Sequence, residues 1–295
     1  MEWTDEDITI DEHEVNNVLQ IEDSISKMTP IELSQFLKTQ DKKILHYESR
    51  ENYILVQLEE YENLMLKYII FSFGDNFYYS LDINHPLRPE NVEPVIHQYL
   101  YNKYPEYIIP FYNSFYELCD DLEDEKLNVY TRIIFMKFPY YGSFKDLLTD
   151  GINGSEIVEI IIQVLAILYE ITSEIDFVHG NLSLESIYID KCSEQIVFPK
   201  SKIKVNSKYK AMLSGFDYSQ IFNHEINIFN KKSELHDYNK EQTIDELKNF
   251  DHIELIYELL QDQKMVIPLK QLFKKIVDLS LIDKINNSLF SSFRL

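Results

Sequence analysis

The hydrophobic pattern of this chain changes character once, near Pro139-Tyr140-Tyr141-Gly142, and that change restricts the fold more than any composition figure does. Before it, Ile44 to Glu48, Tyr53 to Glu59 and Leu64 to Phe73 are short runs rich in Ile, Leu, Val, Tyr and Phe. The polar tips Ser49-Arg50-Glu51-Asn52 and Tyr61-Glu62-Asn63 separate them, so they read as three antiparallel strands. Val92 to Tyr101 then sets Val92, Val95, Ile96, Tyr99 and Leu100 on one helical face. Two more strands are expected at Ile108 to Glu117 and Asn128 to Phe138, around the acidic turn Asp120 to Glu125. After the change the chain is mostly helical. Ser155-Glu156-Ile157 opens a strongly apolar helix to about Ile175, and further helices are expected at Ile244 to Gln261 and Pro268 to Leu281. Ser186 to Ile189, Gln195 to Phe198 and Lys210 to Leu213 read as short strands. The pattern predicts an α+β fold with a small β-rich lobe over 29–138 and a larger, shortened α-helical lobe over 139–295.

Residues 1–28 are acidic and polar without sustained periodicity, and read as a loosely ordered arm. Thr29-Pro30-Ile31-Glu32 ends it with a capping residue, a proline at the first helical position and a glutamate that can reach back to the cap. A short helix to about Lys38 follows from that.

Charge narrows the partners. With 28 Lys+Arg against 50 Asp+Glu the chain carries a formal −22, a field that repels phosphate backbones and anionic lipid. No nucleic acid and no membrane is expected as a partner, which leaves proteins or small molecules. The N-terminus is acidic where a targeting peptide would be basic, and no apolar run reaches eighteen residues. Cys119 and Cys192 are too few for a disulfide framework or a zinc site, so a reducing compartment is expected: a soluble intracellular protein, cytoplasmic or nuclear. Six glycines in 295 residues make a glycine-rich phosphate loop hard to supply.

Local sequence adds a resemblance over roughly residues 42–285. Val178-His179-Gly180-Asn181-Leu182-Ser183-Leu184-Glu185-Ser186-Ile187 resembles the protein-kinase catalytic loop, His-Arg-Asp-Leu-Lys-Pro-Glu-Asn-Ile, placed after a long apolar helix. Leu213-Ser214-Gly215-Phe216-Asp217-Tyr218 resembles the Asp-Phe-Gly segment, and Asp251 follows at the spacing of the family's buried helix aspartate. Glu93 to Leu100 with Tyr107 to Tyr112 resembles the regulatory helix and its following strand. Ile133 to Phe138 with Gly142-Ser143-Phe144 resembles the inter-lobe hinge, with Met136 at the gatekeeper place. The resemblance implies a bilobal protein-kinase-like fold. It also implies a nucleotide pocket whose equivalents are Lys67, Glu93 and Met136, with Lys67 and Glu93 as an ion pair.

The chemistry that fold usually carries needs a phosphate cradle, acidic and amide ligands for metal ions, and a base for the attacking hydroxyl. The cradle turn here is Ser49-Arg50-Glu51-Asn52, without glycine. The base falls on Asn181, and an amide cannot supply general-base assistance worth about 10²- to 10⁴-fold. The expected lysine is Ser183, the metal-binding asparagine is Ser186, and Gly180 replaces the arginine that receives a phosphorylated loop. The main metal-binding aspartate falls on Gly215. Removing a unit charge about 4 Å from a cation forfeits on the order of 4 kcal/mol at an effective dielectric near 20. A register slipped by two residues supplies Asp217 instead. His179 and Asp251 read as architecture.

The expectation is a catalytically inactive kinase-like domain, a pseudokinase, acting as a regulatory module. It has no catalytic residue, metal or cofactor of its own, and its partner is a protein such as an active kinase or a kinase substrate. Its degenerate short form is similar to kinase-like proteins of large DNA viruses. Two alternatives stay open: an atypical Ser/Thr kinase using ATP with Mg2+ and Asp217 as metal ligand, and a small-molecule phosphotransferase, whose loops often read His-Gly-Asp and Asp-Phe-Asp.

Overall fold

The computed structural model describes residues 21–47, 53–70, 89–119 and 129–222, and residues 251–252, 255–256 and 258–259 of a last helix. The tip at Ser49 to Asn52, the turn Asp120 to Glu125, the helix expected at Pro268 to Leu281 and most of the arm lie outside the described residues. The fold is α+β, and the chain divides into two compact units, 1–73 with 110–138, and 74–109 with 139–295. No helix among the described residues is long and apolar enough to cross a membrane.

The first unit is a five-stranded antiparallel sheet built from β1 (Lys42–Tyr47), β2 (Tyr53–Leu58), β3 (Tyr61–Ile70), β4 (Phe111–Cys119) and β5 (Val129–Lys137), in the order β1-β2-β3-β5-β4. The strand expected from Ile108 begins at Phe111, because Ile108 bridges Leu213 in the second unit's own structure. The second sequence-predicted tip is also corrected. Leu58 pairs with Tyr61, so Glu59-Glu60 make the turn and Tyr61-Glu62-Asn63 begin β3, with a register shift beside Gln57. Alternation along β3 sends Leu64 and Leu66 into a core with Val56, Leu58, Phe115, Ile133 and Phe135.

That core is closed by helices. Residues 21–27 form α1, and α2 (Pro30–Lys38) begins with the expected capping box, Thr29 bonding the Glu32 N–H and Glu32 the Thr29 N–H. Ile25, Leu33 and Leu37 are buried against the sheet. The stretch 21–28, read from sequence as part of a loose arm, is therefore ordered. Asn113 of β4 donates to the carbonyls of Ile25 (2.8 Å) and Met28 (3.1 Å) and fixes the helix end.

The second unit is organised around α5 (Gly154–Thr172), whose N-cap is Asn153, two residues before the expected opening at Ser155. Before it come α3 (Pro89–Lys103) and α4 (Phe144–Asp150); α4 is capped by Ser143 with Asp146, a Ser-x-x-Asp box. After it come β6 (Asp176–Val178), β7 (Ile187–Lys191), β8 (Ile196–Phe198), β9 (Ile203–Val205), β10 (Tyr209–Leu213), a 3₁₀ turn η1 (Phe216–Tyr218) and β11 (Gln220–Phe222). These strands make three two-stranded ribbons, β7 with β10, β6 with β11 and β8 with β9. Val92, Ile96 and Leu100 of α3 join the α5 core, whereas Val95, expected on the same face, is 45% exposed. Gln163, fully buried in α5, donates to the Tyr209 carbonyl and accepts the Ala211 N–H, both at 2.9 Å, so α5 reads the backbone of β10 directly.

Candidate functional site

The loop between β6 and β7 and the segment between β10 and β11 come together because both ends of each are held by ribbons. Gln220 pairs with Val178 and Leu213 with Ile187, so residues 179–186 and 214–219 are opposed loops. Ser214 N–H donates to the Ser186 carbonyl (2.9 Å), His179 Nε2 to the Ser214 carbonyl (2.9 Å), and the Ser219 hydroxyl to the His179 carbonyl (2.7 Å). A carbonyl only accepts, so His179 carries its proton on Nε2. All three residues are buried.

Asp251 anchors the loop from below. Its carboxylate is 1% exposed and accepts the backbone N–H of His179 at 2.7 Å and of Gly180 at 2.8 Å. Two turns along the same helix Glu258 accepts the Leu184 N–H at 2.6 Å. The loop's amides thus point at the last helix, and a charge-assisted acceptor meets each of these three.

Phe216 is fully buried and sits between two histidine rings, His97 of α3 and His179, each with its centroid 5.2 Å away; Phe177 lies 6.3 Å off. His97 is itself fully buried and donates Nε2–H to the Ile109 carbonyl at 2.8 Å. Nothing in the periodicity of α3 flagged His97. The only signal was a lone imidazole on an apolar helical face.

The two glycines of the site are there for space as well as backbone freedom. Gly215 has φ +74 and ψ +50, and a Cβ there would point at Ser186 Cβ, 3.1 Å away. Gly180 has φ +78, and its Cβ would meet the Tyr218 carbonyl oxygen well inside van der Waals contact. The sequence reading of Gly180 as a lost arginine is therefore incomplete: the backbone of η1 occupies the place where any side chain would start. Ser186 is 7% exposed and closes a small turn, its hydroxyl donating to the Ser183 carbonyl (2.9 Å) and accepting the Ser183 N–H (2.9 Å). Asn181 is half-buried, with its carbonyl accepting the Ser183 N–H at 3.0 Å. Asp217 is half-buried within η1.

The remaining residues singled out from sequence are divided between the two units. Lys67 is on β3 of the sheet unit, 6% exposed, with its ammonium 4.5 Å from the Tyr53 ring centroid. Met136 of β5, 1% exposed, pairs with Met65 and Phe111 across the sheet. Glu93 is fully buried on α3 of the helical unit. Tyr188 of β7 is buried too, and burial, followed by the nearby charges of Glu93, Asp146 and Glu185, holds its phenol protonated far above the ordinary range.

No family model matches the sequence, and no curated protein is similar to it. Among solved structures, the crystal structure of a kinase domain is similar, at 11% identity and a TM-score of 0.41, over 71% of this chain. The chain spans 60% of that structure's length.

Proposed function

We propose that this protein is a pseudokinase: a kinase-like domain without phosphoryl transfer that works by binding another protein. The observation that carries this reading is the seating of Phe216. With that ring buried between His97 and His179, the residue before it is Gly215, and the direction of its absent side chain is taken by Ser186. No carboxylate stands at the position from which the resembling family holds its metal, and Ser186 and Asn181 replace the amide ligand and the base. Losing a unit charge beside a cation costs on the order of 4 kcal/mol at an effective dielectric near 20, which a serine hydroxyl does not replace. Two partner classes fit: an active kinase, through competition or allosteric control, and a kinase substrate, through sequestration.

Thermal melting of the full chain with millimolar ATP, with and without Mg2+, tests it. The expected outcome is no metal-dependent shift. A Mg2+-dependent rise in Tm that Asp217→Ala abolishes would overturn the reading in favour of an atypical kinase using Asp217.

A further inference from the structure

The β7–β10 ribbon needs no hairpin to close it. Lys191 already pairs with Tyr209, and the Cys192 N–H donates to the Lys208 carbonyl at 2.9 Å, so a two-residue turn would suffice at that point. The chain instead continues into β8 and β9, and this extra hairpin reaches the far end of α3.

It does so through two contacts that share no atoms. Phe198, 1% exposed at the end of β8, stacks on Tyr107 with centroids 5.6 Å apart. Beyond it, Lys200 in the hairpin turn pairs with Glu174, which also accepts the Tyr104 hydroxyl at 2.9 Å and pairs with Lys103 at 3.3 Å. Lys103 is the last residue of α3; Tyr104 follows it directly and Tyr107 comes in the next turn of chain. The turn cannot drift away from this carboxylate. Buried Glu170 of α5 accepts the Lys200 and Ser201 N–H groups, both at 2.9 Å, and the Lys200 ammonium donates to the Glu170 carbonyl at 2.9 Å. Past α3, the Ile109 N–H donates to the Leu213 carbonyl (3.1 Å) and the Leu213 N–H to the Tyr107 carbonyl (2.9 Å). Nearer its middle, α3 is held by His97 against Phe216.

We propose that the β8–β9 hairpin is a built-in clamp that fixes α3 on the helical unit, so that α3, η1 and α5 move as one body. The clamp holds whether or not a nucleotide binds, so it stands apart from the reading of the phosphate site.

Hydrogen exchange of the full chain, read by mass spectrometry, tests the clamp in wild type, Lys200→Met and Glu174→Gln. Peptides of α3 are compared with those of α5 and of β2–β3. In wild type, α3 is expected to exchange as slowly as α5. In both variants α3 should exchange on the order of tenfold faster, with the sheet peptides unchanged, as local opening requires. Unchanged α3 exchange in both variants overturns the clamp, as does wild-type α3 exchanging far faster than α5. Uniform acceleration across the chain also counts against it. Tyr104→Phe, which removes one hydroxyl and no packing, is expected to shift α3 in the same direction by a smaller factor, and no shift there removes Tyr104 from the clamp.

Discussion

Gly180→Ala separates the cost of backbone conformation from the cost of lost space. A non-glycine residue at positive φ loses roughly 1–2 kcal/mol. Gly151, at φ +93 with nothing within 4 Å of its Cβ position, pays that cost and no other, so Gly151→Ala is the control. At Gly180, φ is +78 and the new methyl runs into the carbonyl of Tyr218, a backbone atom that moves only if η1 moves. Displacing η1 loosens two things that are on hand in the structure. One is the hydrogen bond from the Ser219 hydroxyl to the His179 carbonyl, worth about 1 kcal/mol net. The other is the seat of Phe216, where full loss of a buried phenylalanine costs about 3–5 kcal/mol and a partial shift a fraction of it. Gly180→Ala should therefore lose about 3–5 kcal/mol against about 1–2 for Gly151→Ala. Urea unfolding of both variants, with equal m-values as the check that the denatured states match, measures the difference. If the two lose the same stability to within about 0.5 kcal/mol, the packing of η1 on Gly180 is not what holds this loop.

The other predictions concern the same loop and the clamp. Asp251→Asn leaves one amide oxygen for two backbone N–H donors and turns an NH₂ on the other. A loss of about 2–3 kcal/mol is expected as a lower Tm, and no loss would mean that the loop amides find acceptors elsewhere. Gly215→Asp puts a side chain at φ +74 against Ser186 Cβ, so it should lower Tm and give no Mg2+-dependent stabilisation by ATP; a gain of metal-dependent binding would refute the packing argument. Glu174 is held down to about 2 by the Lys200 ammonium first, then by the Tyr104 hydroxyl and Lys103. A depressed carboxylate stabilises above its unfolded value near 4.5 and loses that contribution as pH falls towards 2. The difference in urea midpoint between wild type and Glu174→Gln should be constant above pH 5 and shrink to nothing near pH 2. A difference that grew on acidification would contradict the assigned pairing.

Elements whose reasons are local were legible in the residues. The capping box at Thr29-Glu32 and the apolar run of α5 need only their own side chains, and both stand close to the expected boundaries. The box at Ser143-Asp146 carries an equally local signal, Ser-x-x-Asp before two leucines, in a stretch whose reading as a hinge pointed to no helix. Three-residue strands such as β6, β9 and β11 are different. Each is too short for a period, and exists because a partner five to forty-six residues away offers its backbone. The order along residues 21–28 is of the same kind, since Ile25 is apolar in a polar stretch and becomes meaningful only when Asn113 and the sheet are in place. Within the site, the register of Gly215, Phe216 and Asp217 could be stated from sequence only as two options. The pair of rings around Phe216 is not readable there, since His97 comes from a helix more than a hundred residues earlier.

The residues of the two opposed loops are not independent of one another. Ser186 Cβ stands where a side chain at position 215 would go, and the Ser186 hydroxyl is spent on closing the turn with Ser183. The Ser186 carbonyl in turn accepts the Ser214 N–H, which sets the backbone direction entering Gly215. On the other side of Phe216, the Tyr218 carbonyl lies over Gly180, whose N–H is fixed by Asp251. A side chain at 215 thus presses on Ser186 unless that residue gives by a few tenths of an ångström, and a side chain at 180 requires the backbone of η1 to shift. That coupling is testable by the non-additivity of Gly180→Ala with Gly215→Ala, the first meeting the Tyr218 carbonyl at the end of η1 and the second meeting Ser186 beside the residue that enters η1.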